Sequence, residues 1–184
     1  LDFSHHRTVA APKKHEGRKM SLQVIKGRVW KFGDNISTDY MMPGFAHGST
    51  PKEKASFCMR ANRPDFARSV QPGDGIVGGK NFGCGSSRPA TANLITLGVS
   101  CVIAESFGRI FFRNSINLGF PVLICKGVYD AFEDGDLFRA NFETGEIENL
   151  SKGNLLKAEP LPEVAVRILA AGGIVALLKK EYGK

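Results

Sequence analysis

The sequence has no close pair of cysteines, no long apolar run and a single tryptophan, Trp30. Its four cysteines, Cys58, Cys84, Cys101 and Cys125, stand 26, 17 and 24 residues apart, with no C-x-x-C pair. Zinc and iron–sulfur sites usually draw two ligands from one turn of chain, so this spacing excludes a cluster held by this chain in the ordinary way. The richest apolar stretch, Ile168 to Leu178, is 11 residues long and is broken by Gly172 and Gly173. A membrane helix needs about 20 apolar residues, so no transmembrane span is expected. No hydrophobic leader precedes residue 30, and reduced thiols in a cytoplasmic setting are the expectation.

What is present is ordinary globular composition: 184 residues, 42% hydrophobic, 23% charged, with 21 glycines as the one unusual count. That length suits one domain. The net charge of +7 raises the question of a nucleic-acid partner. Part of it sits in residues 1–20, where Arg7, Lys13, Lys14, Arg18 and Lys19 face only Asp2 and Glu16. That segment also holds His5, His6 and His15 and has no apolar periodicity. It reads as a disordered or extended arm, a solvated tail rather than a transit peptide because an amphipathic face is missing, with residues 21–184 as the domain. The remaining basic residues are scattered, with no stacking platform for bases, so neither nucleic acid nor membrane is an expected partner.

Gln23 to Trp30 alternates partially and predicts an edge strand or the opening of a hairpin. A loop follows from Ser37 to about Thr50, then a short helix over Pro51 to Arg60 capped by Ser49 or Thr50. Between Gly75 and Cys125, short apolar runs alternate with helical patterns. Strands are predicted at Gly75–Gly79, Val99–Ala104 and Pro121–Cys125, and helices at Pro89–Leu97 and Ser106–Leu118, ended by Gly98 and Gly119. That is an α/β fold with a parallel βαβαβ core. A hairpin around Glu143-Thr144-Gly145 follows, and then a C-terminal helix from Pro162 to about Glu181 that its Gly-Gly pair bends or splits.

The first strand and first helix of that core are joined by Asn81-Phe82-Gly83-Cys84-Gly85-Ser86-Ser87-Arg88-Pro89. Open parallel sheets place ligands at such a crossing. Gly83 and Gly85 let the backbone turn sharply, Ser86 or Ser87 can cap the helix, and Pro89 suits its first turn. Commoner anion loops do not fit: Lys80 comes one residue late for a P-loop, Arg88 stands where a dinucleotide loop needs a third glycine, and no G-x-S-x-G frames either serine. On its residues alone, the loop reads either as an anion cradle or as a capped strand–helix turn.

Three segments carry a resemblance: Gly33-Asp34-Asn35-Ile36-Ser37-Thr38-Asp39-Tyr40-Met41-Met42-Pro43-Gly44, Gly79 through Arg88, and Ala104-Glu105-Ser106-Phe107-Gly108-Arg109-Ile110-Phe111-Phe112-Arg113-Asn114-Ser115. In order and spacing they resemble the small-subunit family of 3-isopropylmalate dehydratase, the stand-alone swivel domain of the aconitase superfamily, over roughly residues 22–182. The resemblance implies an aconitase swivel-domain-like fold. It implies one wall of an active site whose [4Fe–4S] cluster lies in a separate large subunit, with a small dicarboxylate as substrate. It also implies a hydro-lyase reaction that interconverts 2-hydroxy and 3-hydroxy dicarboxylates through an enoic acid.

Carried across, Ser86 matches the serine base and Arg88 the arginine that holds a substrate carboxylate. Ser87 is divided between carboxylate bonding and helix capping. Thr38 and Asp39 match a rim segment, or form a turn that shapes it. Phe45, Ala46 and His47 fall where the family contacts the substrate's variable substituent; with the next arginine at Arg60, a small alkyl group is favoured over a further carboxylate. Arg109 and Arg113 share a helix face turned to solvent, to Glu105 or to large-subunit acids, and Cys84 reads as a small filler. Two departures, Pro89-Ala90 in place of Glu-His and a missing Tyr-Leu, leave 2,3-dimethylmalate, another methyl-substituted malate and a homoaconitase-type substrate beside 3-isopropylmalate.

Overall fold

The computed structural model describes residues 24–46, 50–85 and 88–183. The arm at residues 1–20, His47, Ser86 and Ser87 lie outside the described residues.

A seven-stranded mixed sheet runs through the molecule. Its strands are β1 (Ile25–Phe32), β2 (Gly75–Gly78), β3 (Cys101–Ala104), β4 (Val122–Ile124), β5 (Leu137–Asn141), β6 (Glu146–Asn149) and β7 (Asn154–Lys157), in the order β4-β3-β2-β1-β5-β6-β7. β1 to β4 are parallel, and β5, β6 and β7 continue from β1 as an antiparallel meander. β1 is therefore the central strand, not the edge strand its sequence predicts. Alternation reports which faces are buried, with Trp30 and Phe32 inward, and it carries no information about whether neighbours bond on both sides. The parallel core gains one strand beyond βαβαβ. β7 was not expected either: its residues are largely exposed, so an apolar signal is missing.

The crossover helices α4 (Ala90–Thr96) and α5 (Arg109–Asn117) fall where the apolar periodicity places them. The expected loop from Ser37 is more structured. It contains a single helical turn, α1 (Thr38–Met41), a 3-10 turn at Gly44–Ala46, and then α2 (Pro51–Ser56), with α3 (Phe66–Ser69) further on. α2 starts at Thr50 in a full capping box with Glu53, whose carboxylate accepts from Thr50 N–H at 2.7 Å. Pro89 is the N-cap of α4 rather than part of its first turn. After β4 comes a short helix, α6 (Val128–Ala131), that no apolar periodicity announces. The terminal helix is split at Gly172-Gly173, with φ of 83° and 120°, into α7 (Glu163–Ala171) and α8 (Ile174–Tyr182).

Phenylalanine fills much of the core: Phe66, Phe82, Phe132 and Phe138 are fully buried, and Trp30 meets Phe66 edge to face at 5.1 Å. Asp74 sits beneath this cluster. It accepts from Trp30 Nε1 at 2.8 Å, from Arg28 Nη2 at 3.0 Å and from Gln71 N–H at 3.0 Å.

Candidate active site

The parallel strands end together. Phe32 pairs with Gly78, Gly78 with Ala104 and Ala104 with Ile124, so four carboxyl ends line one edge of the sheet. All three motif segments leave from that edge and knit into one another. Gly83 N–H donates to Ile36 C=O at 2.7 Å, and Thr38 N–H to Cys84 C=O at 2.8 Å, an isolated parallel bridge that joins the first segment to the second. Phe82 N–H donates to Ser106 C=O at 2.9 Å and Gly108 N–H to Phe82 C=O at 2.8 Å, which joins the second to the third. Ser106 Oγ accepts from Asn81 N–H at 2.8 Å, so it serves the loop rather than capping α5.

The glycines of the loop are required by this close packing. Gly83 has φ of 75° and would bring a Cβ within 2.2 Å of Phe111; Gly85 has φ of 98°, with Ser37 Oγ 2.8 Å from where its Cβ would lie. Behind them, Phe107 stacks on Phe111 and Phe82 meets both edge to face, with ring centroids 5.7 to 6.1 Å apart.

Arg88 emerges just before α4 and reaches back across the first segment. Its Nε pairs with Asp39 Oδ1 at 2.8 Å and its Nη1 donates to Met42 C=O at 3.3 Å. These two bonds fix the plane of a guanidinium that is 30% exposed. Ser37 Oγ accepts from Asp39 N–H, so Ser37 forms the local turn and the Asp39 carboxylate is directed at Arg88. Thr38, 1% exposed, is held in the interior. Downstream, Ala46 is fully buried while Phe45 is 72% exposed and packs edge to face on Phe57 at 5.1 Å, so Phe45 is the side chain this stretch presents outward. Arg88, Asp39, Thr38 and Phe45 are thus brought to one edge by the structure, whereas Ser86, Ser87 and His47 fall outside the described residues.

A cleft of about 480 Å³ opens on the same edge, lined by Asp34, Lys80, Glu105, Gly127, Tyr129 and Asp130. Two of its acids have structural duties: Asp34 accepts from Lys80 N–H, and both oxygens of Glu105 accept from the N–H groups of Gly127 and Tyr129. Glu105 is therefore not the partner of Arg109 or Arg113. Both arginines are exposed, and no ion pair reaches either of them among the described residues.

The cysteines do not fit an iron–sulfur cluster. Cys58, Cys101 and Cys125 are buried in the core, and among the described residues no three His, Cys, Asp or Glu side chains converge. Burial pushes the Cys101 thiol up to about 12 and that of Cys125 to about 11, and raises Cys58 as well, which disfavours the thiolate that ligation requires.

One residue was not singled out by the sequence reading. Asn93, on α4 and 4% exposed, donates through Nδ2 to Met41 C=O at 2.8 Å and to Lys54 C=O at 3.4 Å. No local pattern marks it: of its neighbours, Ala92 and Ile95 are exposed and Leu94 is buried, and its two acceptors stand 52 and 39 residues away in sequence.

Residues 49–125 match the family described as the Aconitase C-terminal domain. The chain is 53% identical over 163 residues to the isopropylmalate/citramalate isomerase small subunit of Methanocaldococcus jannaschii, covering 88% of this chain and 97% of that one. It is 50% identical over 160 residues to 3-isopropylmalate dehydratase small subunit 1 of Methanopyrus kandleri, covering 86% and 94%. A crystal structure of 3-isopropylmalate dehydratase from Methanocaldococcus jannaschii superposes with a TM-score of 0.81 at 42% identity, over 86% of this chain and 95% of that one. Identity at this level across nearly the whole length of these relatives, on the same fold, means that the chain belongs to the 3-isopropylmalate dehydratase small-subunit family, with the aconitase C-terminal domain as its core.

Proposed function

We propose that the chain is the small subunit of a hydro-lyase that isomerises an alkyl-substituted malate, 3-isopropylmalate in the first instance, the substrate of leucine biosynthesis, and that it works only with a large subunit. The observation that carries this reading is the Arg88–Asp39–Met42 arrangement at the carboxyl edge of the sheet, in a chain whose relatives are named as small subunits of that enzyme.

Within this reading, Arg88 binds a carboxylate of the dianionic substrate, and the ion pair with Asp39 holds the guanidinium plane so that little rotamer freedom is lost on binding. Ser86 is the base. Its alkoxide takes the proton from the substrate carbon, the hydroxyl leaves the adjacent carbon, and a C=C bond forms between the two. Return of water with the opposite regiochemistry gives the isomer. A serine is a weak base in water, so the oxyanion needs donors; the loop's backbone N–H groups and a nearby guanidinium are of the right kind. Phe45, with His47 two residues further along the chain, faces the alkyl substituent.

The [4Fe–4S] group and the departure of the hydroxyl fall to the large subunit, since among the described residues no three His, Cys, Asp or Glu side chains converge, and no step is assigned to this chain there. The compartment is cytoplasmic, in keeping with four cysteines that are not joined in disulfides; among the described residues, no helix is long and apolar enough to cross a membrane.

A relative's name includes citramalate, a methyl-substituted malate, and this favours a second substrate with a smaller substituent. The test is turnover by the chain reconstituted with its large subunit on a panel of substituted malates. Highest kcat/KM on isopropyl- or methyl-substituted malate supports the reading. Preference for homoaconitate, or no turnover of any malate, contradicts it.

A further inference from the structure

We propose that Asn93 is a positioning residue for substrate selection: through one side-chain amide it ties down both ends of the segment that carries Phe45 and sets the carbonyl that orients Arg88. The role in selection rests on the reading above that this segment meets the substrate; the mechanical role does not.

The argument begins with α1, a helix of one turn whose last carbonyls have no intrahelical partners. Each is captured from outside. Tyr40 C=O accepts from Met59 N–H at 2.7 Å, Met41 C=O from Asn93 Nδ2 at 2.8 Å and Met42 C=O from Arg88 Nη1 at 3.3 Å. Asn93 and Arg88 thus hold adjacent carbonyls, one from inside α4 and one from the loop that leads into it. The same Nδ2 reaches Lys54 C=O, in α2, at 3.4 Å. In sequence, Phe45 thus lies between two carbonyls that meet at one buried nitrogen.

α4 is itself fixed, with Leu94 fully buried and Thr91 Oγ1 3.0 Å from Ser115 Oγ of α5. Asn93 therefore adds a directional tie from a rigid element to a segment whose Met41, Met42 and Ala46 are already buried. Loss of the amide frees the Met41–Met42 peptide and, with it, the acceptor that holds Arg88. It also takes the Asn93 donor from the buried Met41 carbonyl, whereas Lys54 C=O keeps Phe57 N–H at 3.2 Å. The consequence falls on binding and discrimination, because the carbonyls that Asn93 bonds flank Phe45 in the chain and adjoin the acceptor of Arg88.

The test compares wild type with Asn93→Leu, which keeps the approximate volume without polar atoms, and Asn93→Asp, which keeps the shape without donors. Two readouts are used. In the reconstituted pair, KM should rise roughly tenfold, the size expected for one buried hydrogen bond. The preference between isopropyl- and methyl-substituted malate should narrow, with kcat within about twofold. Asn93→Gln, which retains an amide donor, should lie nearer wild type. In the full chain alone, hydrogen exchange at the amides of Ala46 and Met59 should accelerate while β2 and β3 are unchanged.

Unchanged exchange in both variants, or a fall in kcat with KM and preference intact, overturns the proposal. If Asn93→Leu does not fold, Asn93→Asp decides by the same exchange comparison. If the wild-type pair turns over no malate, the functional reading fails, and exchange in the isolated chain still decides whether Asn93 is the anchor.

Discussion

Arg88 and Asp39 form an ion pair that, in the proposed function, both shapes the site and serves binding. Both are partly exposed, at 30% and 56%, so the pair adds little to stability and its value lies in orientation. Replacing Arg88 with Lys keeps the charge but removes the planar fork. In the reconstituted pair, KM should rise by about 10- to 100-fold, with kcat/KM falling at least as far. An unchanged KM would remove Arg88 from the carboxylate-binding role.

Asp74 plays the opposite part, in the core and away from the site. Burial works against its charge, but bonds from Gln71 N–H, Trp30 and Arg28 more than offset this and hold its carboxyl below the ordinary 3.8. A carboxyl depressed in the folded state contributes stability that is present above 3.8 and is lost as pH falls through the lower native value. Asp74→Asn should flatten the acid limb of the stability curve in that window. It should also cost about 1–3 kcal/mol at neutral pH, because the charge-assisted bonds to Trp30 and Arg28 are lost; urea unfolding followed by Trp30 fluorescence reads both.

At the scale of elements, the loop between β2 and α4 exists in this shape because Gly83 admits a left-handed turn against Phe111. Gly83→Ala should lower stability by about 2–4 kcal/mol, from backbone strain and overpacking together, seen as a fall in denaturant midpoint at constant slope. Thr50→Ala should cost about 1 kcal/mol through loss of the capping box on α2, a change confined to that helix.

The crossover helices, the β5–β6 hairpin and the split at Gly172-Gly173 were legible in the sequence because each is written in local periodicity or turn chemistry. The central place of β1 was not, since Gln23 to Trp30 has the same alternation whether one or both of its edges are bonded. β7 was illegible because Leu155 and its neighbours are largely exposed, and α1 because a single turn held by tertiary partners needs no helical pattern of its own. In the site, the Gly83–Arg88 loop stood out by its glycines, and the ordered motifs marked Arg88 and Asp39. The bond between them is long-range and leaves no local trace, and Asn93 was hidden for the same reason, its partners lying 39 and 52 residues away.

For the whole molecule, the carboxyl edge of the parallel sheet gathers Arg88, its orienting acid and an exposed Phe45, while Cys58, Cys101 and Cys125 stay buried. On the proposed reading this is one part of a site that the large subunit completes. It follows that activity should appear only on mixing with the large subunit and should saturate with its concentration; turnover by this chain alone would exclude shared catalysis. The most direct measurement is the rate of 3-isopropylmalate isomerisation by the reconstituted pair, wild type against Ser86→Ala, with co-elution of the two subunits checked in both. Abolished turnover in an intact Ser86→Ala complex is the result expected if this chain supplies the base, and full activity in that complex would contradict it.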